Sequence, residues 1–388
     1  MRIGIEAQRI FRPKKHGMDI VVLEVLKQLQ EINSSDEFVV FVKDDADAAC
    51  LSSTPNMQIV KVPGKTYVDW EQWSLPKAVR NAGVELLHCT SNTAPFSVPV
   101  PTVVTLHDII YLEKLQFTGT AYQNFGNVYR RFNVPSIIKR SERVITVSEY
   151  EKARIVEHLN LDDDRVQVVY NGLSDSFKVY NEIEVEKARS KRQLPSQFIL
   201  SLGNQAPKKN MKGSIKAYLD YRKKSESPLP LVLVECTETF LQQTLNEFSA
   251  GTEREHIHLT GYIPHAELPL LYNMCSTFLY PSLRESFGIP ILEANACGVP
   301  VITSNTSSMP EVSGGSTLLT DPFKPEEITQ ALLHIETDKT LRSTLVSKGL
   351  ENARKFTWRN TALQTLDIYK EALKLNDYGT RAYSLHQG

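Results

Sequence analysis

Two glutamates beside a glycine–proline turn are the residues whose type and spacing best suit chemistry. Seven residues separate Glu285 from Glu293, and Gly288 and Pro290 lie between them. At about 100° per residue, positions eight apart on a helix differ by roughly 80°, which predicts the two carboxylates on neighbouring helix faces. Apolar strand-like segments flank this unit, so a strand, loop, helix and strand are predicted. A helix that begins at a sheet edge offers N–H groups to phosphate, and acids beside it accept hydrogen bonds from hydroxyl groups.

A basic loop follows an earlier predicted strand. Residues 198–210 read FILSLGNQAPKKN and pass from a strand into a loop with Gly203, Asn204, Lys208 and Lys209. A flexible backbone with lysine suits a diphosphate, because lysine neutralises charge that grows on a leaving oxygen. The residues alone leave a second interpretation equally open, in which the loop is a solvated basic surface.

A histidine follows another predicted strand at its carboxyl end. His107 and Asp108 come directly after residues 102–106. A single histidine here is more often a hydrogen-bonded packing residue, but an imidazole can also donate to developing charge. Asp108 is interpreted as a residue that holds the loop or its histidine.

Composition limits the classes of protein that this chain can be. With 388 residues, 41% hydrophobic and 23% charged, two domains are expected. A net charge of −1 indicates that the chain as a whole is not built to bind nucleic acid or anionic lipid. Five scattered cysteines without a CxxC pair argue against disulfides or zinc and fit a reducing cytoplasm. Neither a signal peptide nor a transmembrane helix is expected, because no apolar run approaches 18 residues. The acidic run at 44–48 is interpreted as a surface turn, so no metal and no cofactor are expected.

Short apolar strands alternate with amphipathic, helix-length segments along the chain. This alternation predicts an α/β fold with two Rossmann-like, doubly wound parallel-sheet domains. A polar stretch at 174–196 separates a first domain at 1–175 from a second at 195–365. Open parallel sheets bind ligands beyond the carboxyl ends of their strands. Strands are predicted at 2–7, 38–43, 58–62, 86–90, 102–106, 143–148, 165–170, 198–203, 230–235, 257–261, 277–282 and 300–304.

Blocks along most of the chain resemble one family, in that family's order. The segment 280–300, YPSLRESFGIPILEANACGVP, resembles the signature of retaining glycosyltransferases of the GT-B fold, in glycosyltransferase family 4. The resemblance is strongest to members that build bacterial surface polysaccharides, many of them mannosyltransferases. It implies two domains that face each other across a cleft, with the acceptor in the first domain, the nucleotide sugar in the second, and a final helix at about 366–388 packed back onto the first. Further matching blocks are HCTSNTAP (88–95), VVTLHDIIYL (103–112), VITVSEYEKARI (144–155), VVYNGLSDSF (168–177), ILSLGNQAPKKN (199–210), LTGYIPHAELPLLYNMCSTFLYPS (259–282) and SNTSSMPEV (304–312).

The resemblance implies roles for residues on the donor side. Lys209 matches a family lysine and is expected at the diphosphate, as a catalytic residue. Asn204 stands where many relatives carry arginine, and whether Lys208 replaces that cation stays open. Glu285 is expected to touch the transferred sugar, and Glu293 the two ribose hydroxyls. Five residues are expected to face sugar and phosphate, largely through their backbone: Gly203, Ser286, Phe287, Gly288 and Ile289.

Other matches carry weaker implications. His107 matches a family histidine near the sugar and diphosphate and is the catalytic candidate from the first domain. Gly17 lies where relatives have a glycine-rich turn that closes on donor and acceptor, although this chain keeps a single glycine there. Tyr262 and Ile263 are expected at the nucleotide base, and a packed core tyrosine is an equally open interpretation.

The resemblance implies transfer of a hexose, mannose first, from a nucleotide-diphosphate sugar to a saccharide or lipid-linked saccharide acceptor in surface polysaccharide synthesis. GDP-mannose is the first expected donor and a UDP-sugar the second. Retaining enzymes of this fold are thought to react on one sugar face without a protein nucleophile, so catalysis rests on positioning and charge stabilisation. Metal independence is expected, with a location in the cytoplasm or at the inner face of its membrane. Two alternatives stay open: a nucleotide-sugar epimerase of this architecture, and a non-catalytic nucleotide-sugar-binding subunit.

A basic segment leaves the question of membrane contact open. Residues 129–144 interleave five arginines and lysines with apolar residues. Contact with anionic lipid and binding of a lipid-diphosphate acceptor are both possible, and a solvated helix face is the favoured interpretation.

Overall fold

The computed structural model describes residues 1–32, 35–113, 121–203 and 205–385. The chain divides into two compact units: unit 1 contains Met1–Gly172 and Trp358–Gly388, and unit 2 contains Leu173–Thr357. Each unit holds one parallel sheet with helices around it, so the predicted α/β class is confirmed.

Unit 1 is built on a seven-stranded sheet of order β3-β2-β1-β4-β5-β6-β7. All its described pairings are parallel. Its strands are β1 Arg2–Glu6, β2 Glu37–Val42, β3 Met57–Lys61, β4 Leu86–Cys89, β5 Thr102–Thr105, β6 Arg143–Thr146 and β7 Val166–Val168.

Unit 2 repeats this winding in a six-stranded parallel sheet of order β10-β9-β8-β11-β12-β13. The short strand β13 was missed by the sequence prediction, because three residues are too few to show a period. The strands of unit 2 are β8 Ile199–Leu202, β9 Leu231–Val234, β10 Ile257–Gly261, β11 Thr277–Tyr280, β12 Val301–Ser304 and β13 Leu318–Thr320.

Helices cover both faces of each sheet. The final helix, expected at about 366–388, begins at Trp358, and a helix lies inside the stretch that was predicted to separate the domains. The helices are α1 Gly17–Glu31, α2 Tyr67–Asp69, α3 Leu75–Ala82, α4 Ile110–Glu113, α5 Ala121–Ile138, α6 Glu149–Leu159, α7 Glu182–Arg192, α8 Met211–Lys224, α9 Glu238–Glu247, α10 Leu268–Met274, α11 Ile289–Ala296, α12 Met309–Ser313, α13 Pro325–Thr337, α14 Lys339–Ala353 and α15 Trp358–Leu385.

The cores follow from strand alternation. In β2, Phe38 and Val40 belong to one apolar cluster, whereas Val39 and Phe41 belong to the cluster on the opposite face. Helices α1 and α15 pack together over the first of these clusters, and Tyr369 of α15 is fully buried there. The sheet of unit 2 divides its apolar residues between two clusters in the same way. Strands buried on both faces explain the nearly continuous apolar runs in the sequence.

In the part of the chain that the structure describes, no helix is long and apolar enough to cross a membrane.

Candidate functional site

The winding of unit 2 places the ends of β8 and β11 side by side. The chain runs outward from β8 to β9 and β10, and then returns to β11 on the other side of β8. Ligands of open parallel sheets bind beyond the carboxyl ends of the strands at such a switch point. The two segments that the sequence singles out, 203–210 and 281–293, leave the sheet here.

Hydrogen bonds tie the loop after β8 to the loop after β11. A 3₁₀ turn at Pro207–Lys209 ends at Asn210, whose φ of 54° lies in the left-handed region. The Asn210 Nδ2 donates to the carbonyl oxygen of Pro281 at 3.0 Å. The backbone N–H of Leu283 donates to the carbonyl oxygen of Lys208 at 2.7 Å. The lysine loop is therefore held against the residues that follow β11.

Lys209 and Glu285 form an ion pair in which Tyr280 takes part. The Lys209 Nζ lies 2.7 Å from Glu285 Oε1 and donates to Tyr280 Oη at 2.8 Å. The Tyr280 hydroxyl donates to the same Glu285 oxygen at 2.9 Å. An ammonium group has three N–H donors, so these contacts leave one for another acceptor. Lys209 and Glu285, which were expected at the diphosphate and at the transferred sugar, are in direct contact.

The charges in this group are set by the balance between burial and the lysines. Burial raises the pKa of Glu285, but the positive charges of Lys209 and Lys208 outweigh it and hold that pKa below its ordinary value. Burial and the Glu285 charge raise the pKa of Tyr280 well above its ordinary value. At neutral pH the group therefore contains a carboxylate, an ammonium and a neutral phenol. Lys208 is exposed and has no ion-pair partner within the described ranges.

The predicted placement of Glu285 on a helix is wrong. Helix α11 begins at Ile289, so Glu285 lies in the preceding loop and shares no helix face with Glu293. Gly288 has a φ of +105°, which L side chains rarely adopt, and the chain turns into the helix at this residue. The left-handed turn allows Glu285 to face the lysine loop.

Two serines hold the backbone of the Glu285 loop. The Glu285 N–H donates to Ser307 Oγ at 3.1 Å. The Ser308 hydroxyl lies 2.9 Å from the carbonyl oxygen of Glu285 and 2.8 Å from that of Phe287. The Phe287 side chain is buried, with its ring centre 5.8 Å from that of Phe356. Phe287 therefore anchors the loop in the core, and only its backbone can serve a ligand.

Glu293 belongs to a neighbouring hydrogen-bonded group. Its Oε2 accepts a bond from the Tyr272 hydroxyl at 2.9 Å, and its Oε1 lies 3.3 Å from His265 Nε2. Burial and the Glu293 charge raise the pKa of Tyr272 well above its ordinary value. The rings of Tyr272 and Phe278 meet edge to face at 5.1 Å, and Phe278 stacks on Tyr280 at 5.5 Å. This row of rings connects the Glu293 group with the Lys209 group.

The residues predicted around the nucleotide base differ in exposure. Tyr262 is 60% exposed, whereas the side chain of Ile263 is buried in the core. Ile263 therefore offers a ligand its backbone alone. Ser286 and Ile289 are half-buried on either side of the Gly288 turn.

Gly203 directly follows β8 and lies close to the side chain of Lys209. A Cβ added there would lie 3.3 Å from the Cβ of Lys209, tighter than most such contacts. The absence of a side chain therefore helps the lysine loop to fold back. The next predicted residue, Asn204, lies outside the described residues.

His107 is a buried, neutral imidazole in unit 1. Its Nε2 lies 3.1 Å from the carbonyl oxygen of Thr90, so this nitrogen carries the proton and Nδ1 is the acceptor. The backbone N–H of His107 donates to Asn92 Oδ1 at 2.7 Å. Burial lowers the pKa of His107. The carboxylate of Asp108 accepts the N–H of Ile110 at 3.2 Å, which agrees with its predicted role in holding the loop.

Gly17 is the first residue of α1 and not part of an open turn. The preceding His16 caps the helix together with Asp19. No described atom lies within 4 Å of a Cβ added at Gly17, so packing within the chain gives no reason for glycine here.

Sequence reasoning missed several residues that contact the predicted ones. Tyr280 ends β11, Tyr272 lies in α10, and His265 lies in the 3₁₀ turn before it. All three lie in the family-matching blocks 259–282 and 280–300, but the resemblance assigned them no role, and the fold brings them to the glutamates. The polar serines at 307 and 308 directly before α12 lie in another such block. In the described ranges, no three His, Cys, Asp or Glu side chains are grouped so that they could hold a metal ion.

Comparisons with known proteins identify the family of this chain. A model of the glycosyl transferases group 1 matches residues 182–352, and a model of glycosyltransferase family 4 matches residues 16–177. The O-antigen chain mannosyltransferase B of Escherichia coli is 32% identical over 273 residues, which cover 69% of this chain and 70% of that protein. The chain therefore belongs to glycosyltransferase family 4.

Other relatives are longer, and solved structures share the fold. The serotype-specific mannosyltransferase WbdA of Escherichia coli is 31% identical over 285 residues, which cover 71% of this chain but 34% of that protein. The chain thus spans about a third of the length of that relative. The crystal structure of Anabaena Alr3699/HepE in complex with UDP has a TM-score of 0.73 at 18% identity, covering 96% of this chain and 100% of that chain. This likeness identifies the fold as GT-B.

Proposed function

We propose that the chain transfers a hexose, with mannose as the first choice, from a nucleotide-diphosphate sugar to a saccharide or lipid-linked saccharide acceptor. The anomeric configuration is retained, and the product is a surface polysaccharide. Relatives described as O-antigen and serotype-specific mannosyltransferases support the sugar and the product. The observation that carries the proposal is the Lys209–Glu285–Tyr280 group at the switch point of unit 2.

Lys209 binds the diphosphate of the donor in this proposal. Glu285 and Tyr280 already hold its ammonium in place, and its third N–H is available to a phosphate oxygen. Lys208, exposed and close enough to lower the Glu285 pKa, adds a second positive charge. A cation fixed before the reaction stabilises charge that grows on the leaving phosphate.

The two glutamates bind the hydroxyl groups of the donor. The hydrogen bonds from Lys209 and Tyr280 both fall on Oε1 of Glu285, so Oε2 can accept a hydroxyl of the transferred sugar. A carboxylate has about four acceptor positions, so Glu293 can accept ribose hydroxyls besides its bonds to Tyr272 and His265. The exposed Tyr262 and the backbone of Ile263 serve the base.

The reaction proceeds on one face of the sugar. The bond between the anomeric carbon and the diphosphate oxygen breaks, the acceptor oxygen forms its bond on the same face, and the leaving phosphate takes the acceptor proton. Glu285 is ionised and already bound to a cation, which suits charge stabilisation better than proton donation. His107 orients the acceptor through Nδ1, which is free of a proton in the neutral ring.

A nucleotide screen tests the donor. GDP-mannose is the first candidate, and a UDP-sugar is the second because a solved structure of the same fold holds UDP. A ligand that binds the native state raises the melting temperature by mass action, so GDP, UDP, ADP and dTDP are compared by thermal shift. Glu293→Gln should reduce donor affinity about tenfold, in line with about 1.5 kcal/mol for a hydrogen bond to a charged group. Glu247→Gln changes an exposed acid of the same unit and serves as the control.

Product analysis tests the reaction class. With the stabilising donor and a mannose-terminated saccharide, we expect a new glycosidic bond of retained configuration and release of the nucleoside diphosphate. An epimerised donor formed without acceptor would overturn transfer in favour of epimerisation, and binding without turnover would favour a non-catalytic subunit. The proposal requires no metal or cofactor, so addition of EDTA should leave the rate unchanged.

We further propose peripheral contact with the inner face of the cytoplasmic membrane. On α5, Phe125, Val128 and Phe132 are 60%, 36% and 75% exposed at positions that share one helix face. Basic residues of 129–144 flank them and would attract anionic lipid. The expected result is sedimentation with vesicles of phosphatidylglycerol but not phosphatidylcholine, weakened by Phe132→Ser. Phe323→Ser, at a 69% exposed phenylalanine of unit 2, is the matched control.

A further inference from the structure

A pocket in unit 1 has features that the donor-side chemistry does not use. Its volume is about 410 Å³, within the range of about 300–1,000 Å³ typical of small-molecule sites. Its walls come from the loop after β1, the start of α2 and the middle of α5, which follow the carboxyl ends of β1, β3 and β5. The side chains that decide its chemistry are Arg9, Arg12, Tyr67, Phe125, Tyr129 and Arg130.

The lining is positively charged. It contains three arginines and no acidic residue. The Arg9 Nε lies 3.0 Å from Asp19 Oδ1, which neutralises one of these charges. Arg130 donates to Asn127 Oδ1 at 3.3 Å and forms no ion pair with the acidic side chains that the structure describes. Arg12 is half-buried, and its guanidinium has no hydrogen-bond or ion-pair partner in the described part of the chain.

A buried acid fixes the aromatic walls. Glu71 is 3% exposed, and its carboxylate accepts hydrogen bonds from the hydroxyls of Tyr67, Tyr129 and Thr93. The rings of Tyr67 and Tyr129 stand at 86° to each other with their centres 6.1 Å apart. Gln72 donates to Glu71 at 2.9 Å. The two rings are therefore held rigidly before any ligand arrives, which reduces the entropy lost on binding.

We infer that this pocket binds a sugar residue that carries a phosphate or carboxylate group, as part of the saccharide acceptor. The rings pack against the apolar C–H face of the sugar, and the guanidinium groups of Arg12 and Arg130 bind the anion in the forked geometry that arginine offers. That the bound sugar belongs to the acceptor rests on the proposed function, but binding in the pocket can be measured without turnover.

Ligand-observed NMR titration of the full chain tests the inference. The probes are mannose 6-phosphate, mannuronate, mannose and inorganic phosphate, each measured with and without the nucleoside diphosphate that gives the largest thermal shift. At least one charged sugar should bind tenfold more tightly than both mannose and inorganic phosphate. The tighter binder of mannose 6-phosphate and mannuronate then identifies the anion as phosphate or carboxylate.

Four variants locate the binding. Arg12→Ala should remove the preference for the charged sugar, whereas Arg12→Lys should retain part of it. Lys139→Ala removes an exposed charge that does not line the pocket and should change nothing. Lys209→Ala should also leave this binding intact, because Lys209 belongs to unit 2.

The outcomes separate this inference from the proposed function. The inference would be overturned if mannose or inorganic phosphate bound as tightly as the charged sugars. It would also be overturned if Arg12→Ala bound the charged sugars as tightly as the parent chain. Charged-sugar binding that depends on Arg12 in a chain that binds no nucleotide would uphold the pocket and overturn the proposed transfer.

Discussion

The two sheets of this protein wind in the same order, yet buried acids at their two switch points have pKa values shifted in opposite directions. Glu6 ends β1 and Glu285 follows β11, and both lie at the switch point of their sheet. Burial raises the pKa of Glu6, which accepts hydrogen bonds from Thr90 and the Gln8 backbone. The positive charges of Lys209 and Lys208 outweigh the effect of burial on Glu285 and lower its pKa. Topology decides where polar groups gather, and the charged neighbours that the local sequence supplies decide the direction in which their pKa values shift.

The largest expected effect comes from removing the cation of unit 2. Lys209→Ala should lower kcat by about 10²–10³, as loss of one preorganised charge-stabilising donor does, with a smaller change in donor KM. The reason is that diphosphate charge peaks in the transition state. Steady-state transfer kinetics measure both constants.

The control for Lys209 is its neighbour. Lys208→Ala should have a smaller effect, because Lys208 makes no direct contact with Glu285 among the described residues. Thermal unfolding checks that each variant is folded, since Glu285 loses its partner in Lys209→Ala. An unchanged kcat in folded Lys209→Ala would contradict the proposal that this lysine stabilises charge on the leaving diphosphate.

The second effect concerns the neutral histidines of unit 1. His88 is buried between Tyr369 of α15 and Thr105 of β5, with 2.7 Å to each hydroxyl. Burial, with a smaller contribution from His107, lowers the pKa of His88 from 6.5 to about 3. A depressed folded-state pKa means that stability is complete above pH 6.5 and is lost as pH falls toward 3. Between pH 7 and 5, His88 should therefore lower the unfolding free energy by about 2 kcal/mol.

Tryptophan fluorescence reports the unfolding of unit 1, which is the unit that contains His88. All three tryptophans, Trp70, Trp73 and Trp358, belong to unit 1. Denaturant unfolding of His88→Gln should show a shallower loss of stability between pH 7 and 5 than the parent chain. Identical pH slopes would mean that His88 does not set the acid sensitivity of unit 1.

The smallest effect compares two glycines at helix starts. Gly288→Ala should lower the unfolding free energy of unit 2 by about 1–2 kcal/mol, because its φ of +105° is strained for any L side chain. Gly17→Ala in unit 1 meets open space in helical conformation and should be neutral or stabilising by up to about 1 kcal/mol. Reduced activity of a fully stable Gly17→Ala would instead support the predicted approach of donor or acceptor to Gly17. An equal loss of stability in both variants would contradict this contrast.

Much of the fold was predictable because its signals are local. The alternation of apolar strands and amphipathic helices predicted twelve of the thirteen strands in the described chain. The proximity of Lys209 and Glu285 followed from the family resemblance, which assigned both residues to the donor, and their loops leave the neighbouring strands β8 and β11. The helical placement of Glu285 failed because the spacing argument ignored the glycine: Gly288 followed by Pro290 is itself a helix-start signal, and it puts Glu285 outside.

By itself, the sequence determined the α/β class, the family and the segments that carry the charged residues, because periodicity and motifs are properties of neighbouring positions. Only the tertiary structure decided which groups meet. Tyr280 joins Lys209, Tyr272 and His265 hold Glu293, and Glu71 holds Tyr129 in an arginine-lined pocket. These contacts join residues far apart in the chain, and burial with hydrogen bonding, which no local pattern encodes, sets the ionisation of each.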